Sequence, residues 1–266
     1  MKLNADAAYH NTLGVIDNYG FKMGNKYNQI YFSSNESLND MFSHFDFEGL
    51  DVLSVLASGD QAFHLYNKGA KSVDLFDINK LTFYYYYLRM WCIKYFNSFY
   101  LEDYGYRYIS KLLKIVKPSS NQERLAYDYW VQLFEKVNSI SNLLEGGYSL
   151  NNEISDLNYL KTRIDLGNTN FNNIDISKKM KIRKKYDIIY TSNISDWILQ
   201  EDRLLDSYMN NLYGLLKKNG VILCSTFSYI ESDEFELFSD KFNCELFTHK
   251  GYSDNSILFG YSYKKK

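Results

Sequence analysis

DVLSVLASGDQ at residues 51–61, followed by SVDLFDIN at residues 72–79, decides the fold of this chain. Asp51 to Ala57 is a short, largely apolar run, the pattern of a strand buried on both faces of a parallel sheet. Ser58, Gly59 and Asp60 interrupt it. Gln61 to Lys68 is compatible with a helix, and Gly69 stands where a C-cap glycine belongs. Ser72 to Phe76 repeats the strand pattern and closes on Asp77, Ile78 and Asn79. Strand, helix, strand in one sheet means a parallel pair joined by a right-handed crossover.

The alternation extends outward. Lys80 to Asn97 carries Leu81, Tyr85, Leu88, Cys92 and Tyr95 on one face of a long helix. The run Tyr84 to Tyr87 occupies all faces of that helix, so it reads mostly as surface and core packing. Residues 98 to about 160 break the pattern and look helical. They hold the only proline, Pro118, and Ser120 with Glu123 at capping-box spacing for a helix through about Leu144. This stretch reads as a helical insertion. Phe171 to Ile176, which includes Asp175, is a weak strand, and Tyr186 to Thr191 a strong one. Gln200 to Lys217 reads as a helix, turning through Lys218-Asn219-Gly220 into a strand over Val221 to Phe227. A short helix over Glu234 to Phe242 precedes strands at Cys244 to Thr248 and Ile257 to Tyr263. The short loop between those two allows only a hairpin, so the last strand runs antiparallel. The expected fold is α/β and Rossmann-like: a mostly parallel seven-stranded sheet, an antiparallel last strand and an insertion at about 98–160. Residues 1–47 form an N-terminal helical segment capping the site, and residues 48–264 the main domain.

Composition narrows the function. The chain has 266 residues and 45% apolar content, enough for a sizeable core. Lys and Arg number 30 against 32 Asp and Glu, which gives no basic surface for nucleic acid. The cysteines Cys92, Cys224 and Cys244 have no paired spacing. That argues against a disulfide scaffold or a cysteine zinc site and suits a reducing compartment. The four histidines are scattered, so no metal site is expected. No apolar run is long enough to span a membrane, and the N-terminus lacks a signal-peptide pattern. A cytoplasmic location and no stable membrane insertion are the expectations.

In open α/β sheets ligands bind beyond the carboxyl ends of the strands. Ser58, Gly59, Asp60 and Gln61 follow the first strand there. Asp77 follows the second, about 20 positions after the glycine loop, which suits a carboxylate accepting both ribose hydroxyls. Asp175 follows the third, and Ser192 with Asn193 the fourth. Taken singly, the loop is a tight turn, and Asp77 or Asn79 a helix cap. Their order together points to a nucleoside-containing ligand. A dinucleotide needs a glycine-rich loop for its pyrophosphate, whereas this chain offers one glycine and places Asp60 where phosphate would lie. A carboxylate there accepts hydrogen bonds from an ammonium group. S-adenosylmethionine, with an ammonium, a sulfonium and a ribose but no phosphate, fits better than NAD or ATP.

Residues 52–61, 73–79 and 186–190, with the closing antiparallel hairpin, resemble the class I S-adenosylmethionine-dependent methyltransferase fold across about residues 48–264. More narrowly, the Ser58-Gly59-Asp60 loop, Asp77-Ile78-Asn79 and residues 192–197 resemble the BtaA-like group. That group includes enzymes moving the 3-amino-3-carboxypropyl group of S-adenosylmethionine to diacylglycerol. The resemblance implies that Ser58, Gly59 and Asp60 line the methionine part and that Asp77 binds the ribose hydroxyls. It implies Ile78 against adenine, Asp175 towards the adenine amino group and Asn193 facing the reacting centre.

Group transfer from a sulfonium is an in-line displacement, so the protein mainly orients the nucleophile and supplies a base where one is needed. Asn193-Ile194-Ser195-Asp196-Trp197 is not the Asn/Asp-Pro-Pro-aromatic motif of planar-amine methylation, which argues against adenine in DNA or RNA. Asp196 is a candidate base and otherwise a helix N-cap; Trp197 reads as core. In the segment before the first strand, Tyr27 is a candidate for holding the cofactor carboxylate. Glu36 there could act on substrate, but is read instead as part of a cap, with Ser34 or Ser37 starting a helix through Phe45. The acceptor is expected to be a small or lipid-like molecule. Two alternatives stand beside the transferase: a non-catalytic adenosyl-binding module and a nicotinamide-dependent oxidoreductase.

Overall fold

Strands β1 (Asp51–Val55) and β2 (Ser72–Asp77) lie side by side and parallel, with helix α1 (Asp60–Asn67) between them in the chain. The computed structural model describes residues 34, 36–97, 105–136, 154, 156–167, 169–178, 182–194, 205–226, 241–250 and 257–266. β1 and β2 are buried almost throughout, as their apolar runs require. Helix α1 stops at Gly69 in a Schellman arrangement: Gly69 N–H donates to Tyr66 O at 3.0 Å, and Ala70 N–H to Leu65 O at 3.1 Å. Gly69 has φ +92°, and a Cβ there would fall 1.8 Å from Glu48 Oε2. Gly69→Ala therefore costs about 1–2 kcal/mol for the left-handed backbone alone. Thermal melting reads this as a drop of several degrees, and an unchanged melt would contradict the assignment.

The remaining elements are α2 (Lys80–Phe96), α3 (Gly105–Ile115), α4 (Asn121–Lys136), α5 (Leu157–Leu166), β3 (Phe171–Asn173), β4 (Tyr186–Ser192), α6 (Leu205–Leu215), β5 (Leu216–Thr226), β6 (Phe242–Lys250) and β7 (Ile257–Lys265). The seven-stranded sheet has the order β3-β2-β1-β4-β5-β7-β6. Its pairs are parallel from β3 to β5, and β7 runs antiparallel to both β5 and β6. The mostly parallel Rossmann-like sheet with an antiparallel last strand is thus as expected.

Four local expectations change. The strand over Phe171 to Ile176 ends at Asn173, because Asp175 bends the chain by accepting bonds from Ser177. The helix over Gln200 to Lys217, as far as it is described, ends at Leu215, because Leu216 already pairs with Tyr186. The Lys218-Asn219-Gly220 turn is absorbed into β5 as a register jump, from Tyr186↔Leu216 to Ile188↔Val221, with Asn219 at φ +62°. Tyr84, Tyr85, Tyr86 and Tyr87 are all buried, so the surface share of that run is corrected. Most of the short helix over Glu234 to Phe242 and the end of the helix through Leu144 lie outside the described residues.

The chain divides into two compact units. One holds Ser34–Val55, Gln61–Asp77 and Arg163–Lys266, and with them the whole sheet. The other holds Met1–Ser33, Leu56–Asp60 and Ile78–Thr162, hence α2, α3 and α4.

In the helical unit, Ser120 caps α4 by accepting from Glu123 N–H at 3.1 Å. The Glu123 carboxylate accepts from Ser119 N–H and Oγ–H, both at 2.6 Å, and from Trp91 Nε1–H at 2.7 Å. Burial pushes this carboxyl up, but these bonds outweigh it and hold it below its ordinary range. Trp130 Nε1–H donates to Tyr84 O at 2.7 Å, and the Tyr84 and Tyr129 rings stack at 4.7 Å. Aromatic rings, with both indole N–H groups satisfied, therefore pack between α2 and α4.

In the sheet unit, charges gather where the strands begin. Lys217 Nζ lies 2.8 Å from both Asp51 and Asp187, and Lys184 Nζ lies 3.2 Å from Asp74. Burial pushes the Asp51 carboxyl up. Hydrogen bonds from Lys217 and Ser72, with the Lys184 charge, outweigh it and lower the pKa from 3.8 to about 2. The folded value is the lower one, so this group's stabilisation is fully present above pH 3.8 and is lost as pH falls towards 2. Acid titration of unfolding should show that loss, and Lys217→Met should reduce it. An identical acid limb in the variant would remove the Lys217 pair from the account.

Candidate functional site

The sheet reverses its strand order between β1 and β4. From β1 the chain runs to β2 and β3 on one side, and from β4 to β5 on the other. Open α/β sheets bind ligands at such a switch point, beyond the strands' carboxyl ends. β1 and β4 pair there with Ser54 opposite Tyr190. β4 ends on Ser192 at φ +51°, and half-buried Asn193 follows.

Glu36 reaches the end of β4. Its carboxylate accepts a hydrogen bond from Ser192 Oγ–H at 2.7 Å and a second, very short one from the Tyr190 hydroxyl. Glu36 is 2% exposed and Ser192 7%. Burial, with Glu36 beside it, pushes the Tyr190 phenol well above its ordinary range, so it stays a donor. Phe42 packs edge-on against the Tyr190 ring at 5.0 Å. The capping reading of Glu36 is corrected here. Ser34 Oγ does accept from Glu36 N–H, at 3.1 Å, but Ser37, at the N-cap of the short turn Leu38–Met41, makes no side-chain cap bond. The Glu36 side chain serves β4 instead.

At the neighbouring tips, Asp77 ends β2 and pairs with Asn173 of β3. Its carbonyl accepts from Ile174 N–H at 3.1 Å and from Asn173 Nδ2–H at 3.0 Å, which fastens the backbone under its half-buried side chain. Asp175 lies two residues past Asn173. Its carboxylate accepts from Ser177 N–H at 3.1 Å and Ser177 Oγ–H at 2.6 Å, and pairs with Lys178 at 3.1 Å. Burial raises its pKa, but these partners outweigh it and hold it low. Its carboxylate is thus engaged by its own turn.

In the helical unit, the loop after β1 is held from within. Gly59 N–H donates to Leu56 O at 2.6 Å, with Ala57 at φ +43° and Gly59 at φ +89°. A Cβ on Gly59 would meet Tyr86 Cδ2 at 3.2 Å. Ser58 Oγ accepts from Asp60 N–H at 3.3 Å. Arg89 Nη1 donates to Ser58 O at 2.9 Å and pairs with Asp60 at 2.6 Å, both side chains being buried. The Arg89 guanidinium stands 5.6 Å from the Tyr85 ring centroid. Burial would lower its pKa, but the Asp60 carboxylate more than offsets this. Asn79 is buried immediately before α2, with its carbonyl accepting from Thr82 Oγ–H at 2.7 Å, and Ile78 is half-buried. In the sheet unit, Gln61 is buried in the first turn of α1.

The structure therefore groups Asp77 with Asp175, and Ser192 with Asn193, in the sheet unit. Ser58, Gly59 and Asp60 form one loop of the helical unit. Tyr27, Asp196 and Trp197 lie outside the described residues. Two residues go beyond the sequence reading. Arg89 could have been sought as the cation answering a loop carboxylate, since it is the charged residue in the otherwise uncharged run Leu81–Ile93 of α2. The sequence marks Glu36 as a capping or substrate-facing carboxylate, but not as a partner of β4. The Arg89 pair also changes one argument: it neutralises the charge with which Asp60 was to repel pyrophosphate, and the single glycine is what still disfavours a dinucleotide. Among the described residues no group of three His, Cys, Asp or Glu could hold a metal ion, and no helix is long and apolar enough to cross a membrane.

No protein-family model matches the chain, and no curated protein matches it in sequence. Solved structures do. A TehB-like SAM-dependent methyltransferase from Corynebacterium glutamicum is 12% identical with a TM-score of 0.47, over 98% of this chain and 100% of that one. Magnesium protoporphyrin IX methyltransferase from Synechocystis, with bound SAM, is 11% identical with a TM-score of 0.45, over 96% and 97%. N-methyltransferase NodS from Bradyrhizobium japonicum, in complex with S-adenosyl-L-homocysteine, is 8% identical with a TM-score of 0.44, over 97% and 98%.

Proposed function

We propose that this chain is an S-adenosylmethionine-dependent transferase acting on a small or lipid-like acceptor. The observation that carries the reading is the strand order, with β7 antiparallel between β5 and β6. The dinucleotide-binding sheet instead orders its strands 3-2-1-4-5-6. The step from fold to ligand is one of analogy, and the chemistry at the strand ends supports it. Asp77 takes the ribose hydroxyls from a fastened strand tip, and Ile78 packs on adenine. Asp175 approaches the adenine amino group, which must compete with Ser177 and Lys178 for its carboxylate. Ser58, Gly59, Asp60 and Gln61 line the methionine part, with Asp60 shared between the ammonium and Arg89. Asn79 and Ser192 complete the cofactor site.

When bound, the cofactor supplies an electrophilic carbon on a sulfonium. Asn193 faces the reacting centre and orients the acceptor, with Tyr27 and Asp196 as further candidates for catalysis. Aminocarboxypropyl transfer, as in the BtaA-like group, is preferred over methyl transfer. The net charge of -2 favours a small molecule over nucleic acid, and the reading places the protein in the cytoplasm. Incubation with labelled S-adenosylmethionine and candidate acceptors tests it. Methylthioadenosine as the by-product means aminocarboxypropyl transfer, and S-adenosylhomocysteine means methyl transfer. Cofactor binding with neither product from any acceptor supports instead a non-catalytic adenosyl-binding module.

A further inference from the structure

The seven-stranded sheet ends in two unlike edges. β3, at one end, is three residues long, and that shortness is itself a defence against further pairing. β6, at the other, runs for nine residues, Phe242–Lys250, with an uninterrupted register to β7. Among the described residues no strand lies beyond it. It carries neither a proline nor a bulge, and its lysine stands at its last position. An edge of this kind presents a row of backbone donors and acceptors that fits another strand. One face of β6 is covered, because the Phe247 ring packs on His44 at 4.7 Å and on Phe45 at 5.5 Å. Cys244, Leu246 and Thr248 alternate onto the other face, where Leu246 is 46% exposed although apolar.

We infer that β6 pairs antiparallel with β6 of a second copy of this chain, about a twofold axis at Leu246, so that two sheets join into one. Such an axis stands perpendicular to the sheet and keeps the faces of the two copies level. Residues directly opposite then point to the same face, so the axis passes through a residue and not between two. Leu246 is the midpoint of Phe242–Lys250, so an axis there pairs the strand over its full length. It sets Leu246 against Leu246, Cys244 against Thr248, Glu245 against Phe247 and Phe242 against Lys250. The exposed leucines cover each other, and no charge directly opposes its like. An axis at Glu245 would oppose the two glutamates. One at Asn243 would match Lys241 with Glu245, but it leaves most of the strand unpaired, and Lys241 Nζ already donates to Asn210 Oδ1 at 2.6 Å. The strand complements itself along its whole length, which is what makes a second copy the partner.

An edge of nine residues is about 30 Å long, at the small end for a stable interface, so the pairing should depend on concentration. Sedimentation of the wild type over a range of concentrations is expected to show a reversible rise from one chain mass towards two. Leu246→Lys sets two ammonium groups face to face and should weaken the dimer by about tenfold or more. Leu246 is exposed, so the variant should fold, and circular dichroism checks that it does. Oxidation reads the register. Opposed residues of an antiparallel pair lie about 4.5–5.5 Å apart at Cα, within disulfide range. Leu246→Cys in a Cys244→Ser background should therefore cross-link two chains, while Asn243→Cys in the same background should not; the other cysteines, Cys92 and Cys224, are buried. A protein that stays monomeric at every concentration overturns the inference. So does a dimer indifferent to Leu246→Lys, or one that cross-links at position 243 instead of 246.

Discussion

Arg89→Met lowers the melting temperature by roughly 10 °C. The guanidinium is buried against the Asp60 carboxylate at 2.6 Å and also holds Ser58 O at 2.9 Å. Removing it strands a carboxylate that is 1% exposed. Breaking a buried pair from one side costs about 3–5 kcal/mol, mostly for the charge left behind. At this chain length each kcal/mol is worth about 2–4 °C. The diagnostic variant is the double one. Arg89→Met with Asp60→Leu removes both charges at similar volume and should recover much of the loss. If the double variant melts as low as the single one, the cost comes from the loop carbonyl or from packing rather than from the stranded charge. If Arg89→Met melts like the wild type, the pair contributes nothing and the loop after β1 is held by its backbone alone.

The second large effect is on binding. Asp77→Ala weakens S-adenosylhomocysteine by roughly five- to 150-fold, the equivalent of about 1–3 kcal/mol for hydrogen bonds to a charged acceptor. The variant should fold, because the backbone at the tip of β2 is held through its own carbonyl by Ile174 and Asn173. Asp77→Asn offers one acceptor oxygen and should fall between the two. Calorimetry with circular dichroism separates affinity from folding. Unchanged affinity in a folded Asp77→Ala protein removes Asp77 from the site.

Much of the fold was legible because it rests on local patterns. The apolar runs form strands at residues 51–55, 72–76 and 186–191, with Leu56 and Ala57 passing into the loop, Gly69 ends α1, and Ser120 caps α4. The closing hairpin was legible from loop length alone. What the sequence did not reveal depends on pairing across the chain. Leu216 leaves its helical pattern because β4 offers it a partner, and the turn at Asn219 survives only as a register jump. The site shows the same division. Ser58, Gly59, Asp77 and Ser192 are strand-end residues and can be found by counting along the chain. Arg89 and Glu36 cannot, since each acquires its role from residues 29 and more than 150 positions away.

The measurement that tests the central claim most directly is calorimetric titration of the wild-type protein with S-adenosylmethionine, S-adenosylhomocysteine, methylthioadenosine and NAD. The account predicts micromolar binding of the adenosyl thioethers with NAD silent. Tighter binding of methylthioadenosine than of S-adenosylhomocysteine would favour aminocarboxypropyl transfer. Binding of NAD alone, or of no adenosyl compound, would contradict the account and leave the sheet without its proposed cofactor.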